Sequence, residues 1–148
     1  MNNSKKLVLI CGAPRSGSTL LYNAICSSKI FNKGLTENHF IPNTIKLLKK
    51  QLLRNPKENF MHFENNETTI KFFTKIISDY VEQLYIRYEV HNLCLKSIMF
   101  STEANLISKL FPSAYLIFII RDPKDIISSM LNVSKKQIKM EQKPNYPR

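Results

Sequence analysis

Cysteine is scarce in this chain. There are three, Cys11, Cys26 and Cys94, an odd number at no spacing that suits a metal site. Cys11 and Cys94 fall inside apolar, strand-like runs and read as small core residues. Long apolar runs are absent as well. Leu7–Cys11, which follows Lys5 and Lys6, is too short for a signal peptide or a membrane anchor, and no later segment reaches transmembrane length. The expected location is therefore the cytoplasm, with no membrane span. Acidic residues are half as frequent as basic ones, 11 against 22, which leaves a net charge of +11. Such an excess favours polyanionic partners such as a bisphosphorylated nucleotide, an acidic glycan, nucleic acid or a membrane surface; solvated surface lysine accounts for it equally well. Nothing beyond charge reads as a DNA- or RNA-binding signature, so nucleic acid is not expected as a partner. There is no internal repeat. With 148 residues, the chain is long enough for one domain with a real core.

Of only three glycines, two lie in the most informative segment, Leu7 to Leu21. It reads as a buried strand (Leu7–Cys11), a tight loop (Gly12–Ser16) and the first turns of a helix from Gly17. A strand that passes through a glycine-containing loop into a helix N-terminus makes an anion cradle, because backbone N–H groups converge there and the helix dipole favours negative charge. Gly12, four residues, Gly17 and then Ser18-Thr19 almost complete a nucleotide-binding loop. The lysine that would reach the β- and γ-phosphates is missing, since position 18 is serine, and the one cation is Arg15 within the loop. A plain strand-to-helix turn with incidental Ser and Thr is the competing explanation.

A second segment lies far along the chain. Tyr115–Ile120 is apolar and β-branched, the pattern of a fully buried parallel strand. It leads into Arg121-Asp122-Pro123-Lys124-Asp125, where Asp122 suits an N-cap, Pro123 the first helical position and Asp125 the third. Arg121 then stands at the C-terminal end of a strand, where open α/β sheets bind ligands. Ser129 follows about two turns along the next helix. A surface ion pair between Arg121 and Asp122 or Asp125 is the alternative.

Together the two segments, Gly12-Ala13-Pro14-Arg15-Ser16-Gly17-Ser18-Thr19-Leu20-Leu21 and Arg121-Asp122-Pro123-Lys124-Asp125 through Ser129, resemble the sulfotransferase family. With Arg at position 15, the first is similar to the bacterial and Golgi-type branches, whereas the cytosolic branch usually has Lys there. The resemblance spans roughly Lys5 to Ser134. It implies 3′-phosphoadenosine 5′-phosphosulfate as the sulfuryl donor, with no metal. Pro14, Arg15, Ser16, Gly17, Ser18, Thr19 and Leu20 would hold the 5′-phosphosulfate, and Arg121 and Ser129 the 3′-phosphate. The implied partners are this nucleotide and an unidentified acceptor (small molecule, glycan or lipid) whose hydroxyl or amine receives the sulfuryl group.

For the chemistry, a cation near the donor's bridging oxygen stabilises the charge that builds up there, and Arg15 is the natural candidate. The acceptor needs a base. The cytosolic branch uses a His two residues after a strand-end Lys, but here that stretch reads Lys96-Ser97-Ile98, without it. Other branches often use a Glu shortly after the first helix. Glu37, with His39 two residues on, is the matching candidate, and a solvated loop carboxylate is the other reading. Lys96, at a strand end, is a further candidate contact to donor oxygens. Family members usually continue well past the helix after the Arg-Asp-Pro segment, so a C-terminally shortened chain is expected. A non-catalytic nucleotide-binding remnant is therefore the alternative function. A P-loop kinase is a second alternative, but Ser18 speaks against it.

The order of elements is α/β. The expected architecture is a three-layer sandwich around a central parallel sheet, one domain over residues 1–134 with a loose basic tail over 135–148. The expected helices are Gly17 to about Ser28, with Leu20, Leu21, Ala24 and Ile25 facing the sheet; Asn43–Leu53, opened by Pro42 and ended by Asn55-Pro56; one carrying Ile70, Phe73, Ile77, Tyr80, Leu84 and Tyr88; and Thr102–Leu110. Gly34–Thr36 reads as a strand or a loop, Lys57–Glu67 as a loop, and Leu93–Lys96 as a short strand.

Overall fold

The computed structural model describes residues 5–53 and 62–139. Leu7–Cys11 has the apolar, partly β-branched composition of a buried strand, and it forms β1 (Lys6–Gly12), the middle strand of a three-stranded parallel sheet. On one side lies β2 (Asn92–Lys96), with Val8 opposite Cys94; on the other lies β3 (Tyr115–Ile119), with Val8 opposite Tyr115. Parallel strands need crossover connections. The chain supplies α1 (Ser18–Cys26), α2 (Phe40–Leu52) and α3 (Asn66–Tyr88) between β1 and β2, α4 (Phe100–Leu110) between β2 and β3, and α5 (Pro123–Lys139) after β3.

Alternation along the strands divides the core in two. Leu9, Cys11, Leu93 and Leu95 point to one face and pack with Ile41 and Ile45 of α2, Ile77, Val81 and Tyr85 of α3, and Phe100 and Ile107 of α4. Val8, Ile10 and Cys94 point to the other and pack with Tyr22, Leu21 and Ile25 of α1. The result is the expected α/β fold with helices on both faces of a parallel sheet. Burial pushes the Cys11 thiol up to about 11 and the Cys94 thiol up to about 12, so both stay protonated and inert as core residues.

Several expectations about the elements need correction. β3 is not a fully buried central strand. Among the described residues its only sheet neighbour is β1, so Phe118 is 53% and Ile120 93% exposed. α1 starts at Ser18 and turns Tyr22, not Leu20 or Ala24, toward the sheet; Leu20 is 77% exposed. α2 begins at Phe40, with Pro42 inside its first turn, where a missing N–H breaks no helical bond. α3 buries Thr69, Phe73, Ile77, Val81 and Tyr85, a stripe one residue away from the expected one at its C-terminal half. It starts at a reciprocal cap: the Asn65 side chain accepts from the Thr68 N–H at 2.9 Å, and the Thr68 hydroxyl accepts from the Asn65 N–H at 3.0 Å. α4 begins two residues early, at Phe100. Gly34–Thr36 is a loop. α5 runs on to Lys139, so the first residues of the basic tail are helical. Asn55-Pro56, residues 57–61 of the expected loop and the tail from 140 onward lie outside the described residues, and the described end of that loop is already helical from Asn66.

Candidate functional site

Because all three strands are parallel, their C-terminal ends share one edge of the sheet. From β1 the chain turns first to β2 and then crosses to β3 on the other side, so the strand order reverses between β1 and β3. A crevice opens at such a switch point. Ile119, the last residue of β3, lies opposite Gly12, which brings the loop after β1 and the segment after β3 together there.

The loop turns tightly, with the Ser16 N–H donating to the Ala13 carbonyl at 3.2 Å. Arg15 takes φ 66 and Gly17 φ 104, both left-handed. Gly17 adopts this freely, whereas Arg15 carries strain of the order of 1 kcal/mol. Gly17 is the N-cap of α1, and no side chain caps its first N–H groups, which leaves the helix N-terminus open to an anion. Ser16 is buried at 7% exposure, and its Oγ has no hydrogen-bond partner among the described residues. A Cβ on Gly12 would stand 2.7 Å from that oxygen, so a side chain at the strand end would displace the Ser16 hydroxyl from its place beneath the loop.

The segment after β3 is built as its sequence predicts. The Asp122 carboxylate accepts from the Lys124 N–H at 2.8 Å, and its carbonyl accepts from the Ile126 N–H at 3.1 Å, an N-cap with Pro123 at the first helical position. Arg121 therefore leaves the strand just before the helix. Its Nη1 donates to the Arg15 carbonyl at 3.1 Å, and its Nε lies 3.7 Å from Asp125 Oδ2. Arg15 Nε in turn donates to Ser129 Oγ at 3.1 Å. Arg121 thus has the loose ion pair with Asp125 that its sequence neighbours offered, and it also supports the strained loop.

Arg15, Gly17, Ser18, Thr19, Leu20, Arg121 and Ser129 line one cavity of about 240 Å³. Ser16 lies under the loop, and Pro14 is half-buried within it. A second cavity of about 360 Å³ adjoins the first, shares Arg15, Arg121 and Ser129, and continues along α5 past Ser128 and Asn132 to Lys136. Sequence reading missed these last three. The signal was a polar stripe at helical spacing, Asp125, Ser128, Asn132 and Lys136.

Glu37 is placed elsewhere. The Asn38 N–H donates to the Lys96 carbonyl at 2.8 Å, and Glu37 Oε1 accepts from the Ile98 N–H at 2.8 Å, so Glu37 lies at the end of β2 beside Lys96. It shares the C-terminal edge with the crevice but does not line either cavity. His39 is the exposed N-cap residue of α2. No group of His, Cys, Asp or Glu among the described residues could hold a metal ion, and no described helix is long and apolar enough to cross a membrane.

Residues 8–145 match the model of the sulfotransferase family, and the chain belongs to that family. No curated protein matches it.

Proposed function

From this membership, we propose that the chain binds 3′-phosphoadenosine 5′-phosphosulfate in the crevice between β1 and β3 and passes its sulfuryl group to a hydroxyl or amine. One observation carries the reading: residues as distant in sequence as Arg15, Arg121 and Ser129 converge, by two hydrogen bonds of 3.1 Å, on a cavity at the open N-terminus of α1. The residues fit a nucleotide with two separated phosphates. The orphaned Ser16 hydroxyl and the uncapped N–H groups of α1 are donors in want of an acceptor, and two guanidinium groups flank them.

In this reading the N–H groups of Ser18 to Leu20, with the Ser18 and Thr19 hydroxyls, hold the 5′-phosphosulfate. Arg121 and Ser129 hold the 3′-phosphate, and Lys136 adds a third cation along α5. The bound nucleotide supplies an activated sulfuryl group. Arg15 stabilises negative charge at the bridging oxygen, a role fixed donors fill without reorganisation. Glu37 takes the acceptor's proton, with His39 as the competing base. The Ile98 N–H steadies the Glu37 carboxylate for that task.

Calorimetric titration with adenosine 3′,5′-bisphosphate, ATP and AMP tests the donor site. The bisphosphate is expected to bind tightest. Equal affinity for AMP and the bisphosphate would remove the 3′-phosphate assignment.

A further inference from the structure

The joint surface of α2 and α4 is basic and apolar at once. α2 carries Lys46, Lys49 and Lys50 and no acidic residue, and α4 adds Lys109. The one carboxylate of the two helices, Glu103, is buried and pairs with Lys49. Lys46, Lys50 and Lys109 have no acidic partner among the described residues. Lys46, Lys49, Lys50 and Leu53 recur at helical spacing and so share one face of α2. Leu53, at the end of that helix, is 87% exposed. Beside it a cavity of about 420 Å³ opens between α2 and α4, lined by Leu52, Leu53 and Leu106 together with Lys49 and Lys109. No acidic residue lines it among the described ones. A single exposed leucine needs no explanation, but leucines joined to a cavity and set beside lysines without counter-charges suit an amphiphilic anion. A nucleic acid would bring bases that stack on aromatic rings, and no ring lines this cavity. Anionic lipid supplies both the phosphates and the apolar layer.

We propose that the surface formed by α2 and α4 docks on an anionic lipid bilayer, with Leu53 entering the headgroup region and Lys46, Lys50 and Lys109 meeting lipid phosphates. The helix lies on the membrane and does not cross it. The crevice is built from the loop after β1, α1 and α5, none of which takes part, so the docked protein still binds its nucleotide.

Co-sedimentation with vesicles of phosphatidylcholine, with and without phosphatidylserine, tests this. The protein is expected to bind the vesicles that contain phosphatidylserine and to be released by salt. Lys46→Gln/Lys50→Gln should weaken binding about 10- to 30-fold, since each cation near an anionic surface contributes about fivefold. Lys29→Gln/Lys33→Gln removes the same charge from the exposed segment between α1 and α2 and should weaken it clearly less. Leu53→Ser leaves the charge unchanged and should weaken binding about 3- to 10-fold. All these side chains are exposed, so urea midpoints and the calorimetric affinity for adenosine 3′,5′-bisphosphate should stay near wild type. Three results would each overturn the proposal: no preference for phosphatidylserine, equal losses in the two lysine pairs, or Leu53→Ser binding like wild type. The last would leave a polyanion such as nucleic acid as the partner of this face. None of them touches the donor site, which the bisphosphate titration tests separately.

Discussion

Arg15 and Arg121 are neighbours in the crevice with different expected tasks. Arg121→Ala should weaken adenosine 3′,5′-bisphosphate by about 1.5–3 kcal/mol, the scale of a charged hydrogen bond. It should weaken AMP clearly less, through the lost support of the Arg15 carbonyl. Arg15→Ala should weaken both, since both carry the 5′-phosphate. Equal losses for the two ligands in Arg121→Ala would exchange or dissolve the assignment. Ser16 offers a sharper contrast. Its buried hydroxyl lacks a partner among the described residues. Ser16→Ala removes an unsatisfied group, so urea unfolding of the free protein should be unchanged or shifted to higher urea, while bisphosphate affinity falls. A loss of stability with affinity intact would make the hydroxyl a structural group. For the base, Glu37→Gln should lower the transfer rate by roughly 10²–10⁴-fold with donor affinity preserved. A large loss in His39→Asn with Glu37→Gln nearly unaffected would transfer the role to His39.

At the scale of elements, the cap that starts α5 also aims Arg121 and Ser129. Asp122→Ala should cost about 1 kcal/mol in urea unfolding, as a lost N-cap does, and bisphosphate affinity should fall with it. Unchanged stability would mean that Pro123 alone starts the helix. This junction was legible because each of its residues does what its local chemistry dictates: strand composition, then cap, then proline. The same holds for the loop after β1, where the glycine spacing marked both the turn and the helix start. What could not be read was set by tertiary packing. An apolar run such as Tyr115–Ile120 is written the same way for a centre or an edge strand, because burial depends on neighbours the run does not encode. The true phase of α1 required knowing that Tyr22 reaches Leu35, whose N–H donates to the Tyr22 hydroxyl at 2.5 Å. The polar face from Asp125 to Lys136 gained meaning only when α5 was seen beside the loop. Glu37 was found as a residue, but its tie to Ile98 belongs to a contact across 61 positions that no local pattern announces.

For the whole molecule, the buried thiols and phenols predict a loss of stability at high pH. Cys11 and Cys94 titrate near 9.0 when exposed but near 11 and 12 in the fold, and Tyr22 and Tyr85 are pushed from 10.0 up to about 12 by burial. The folded values are the higher ones, so this stability is intact below about pH 9 and drains away as pH rises toward 11–12, where the unfolded chain has already released its protons. The urea midpoint should fall steadily between about pH 8.5 and 10.5; a flat profile would show that these groups are not shielded. The position of β1 has a different consequence. Of the three described strands it is the first synthesised and the middle one of the sheet, with partners at Cys94 and Tyr115. A nascent chain that leaves the ribosome N-terminus first carries an apolar strand with both edges open until most of the sequence has followed. Such late, distant pairings slow folding. The crevice forms only when β3, the last of the three described strands, docks against β1, so nucleotide binding during synthesis would mark the moment of that docking.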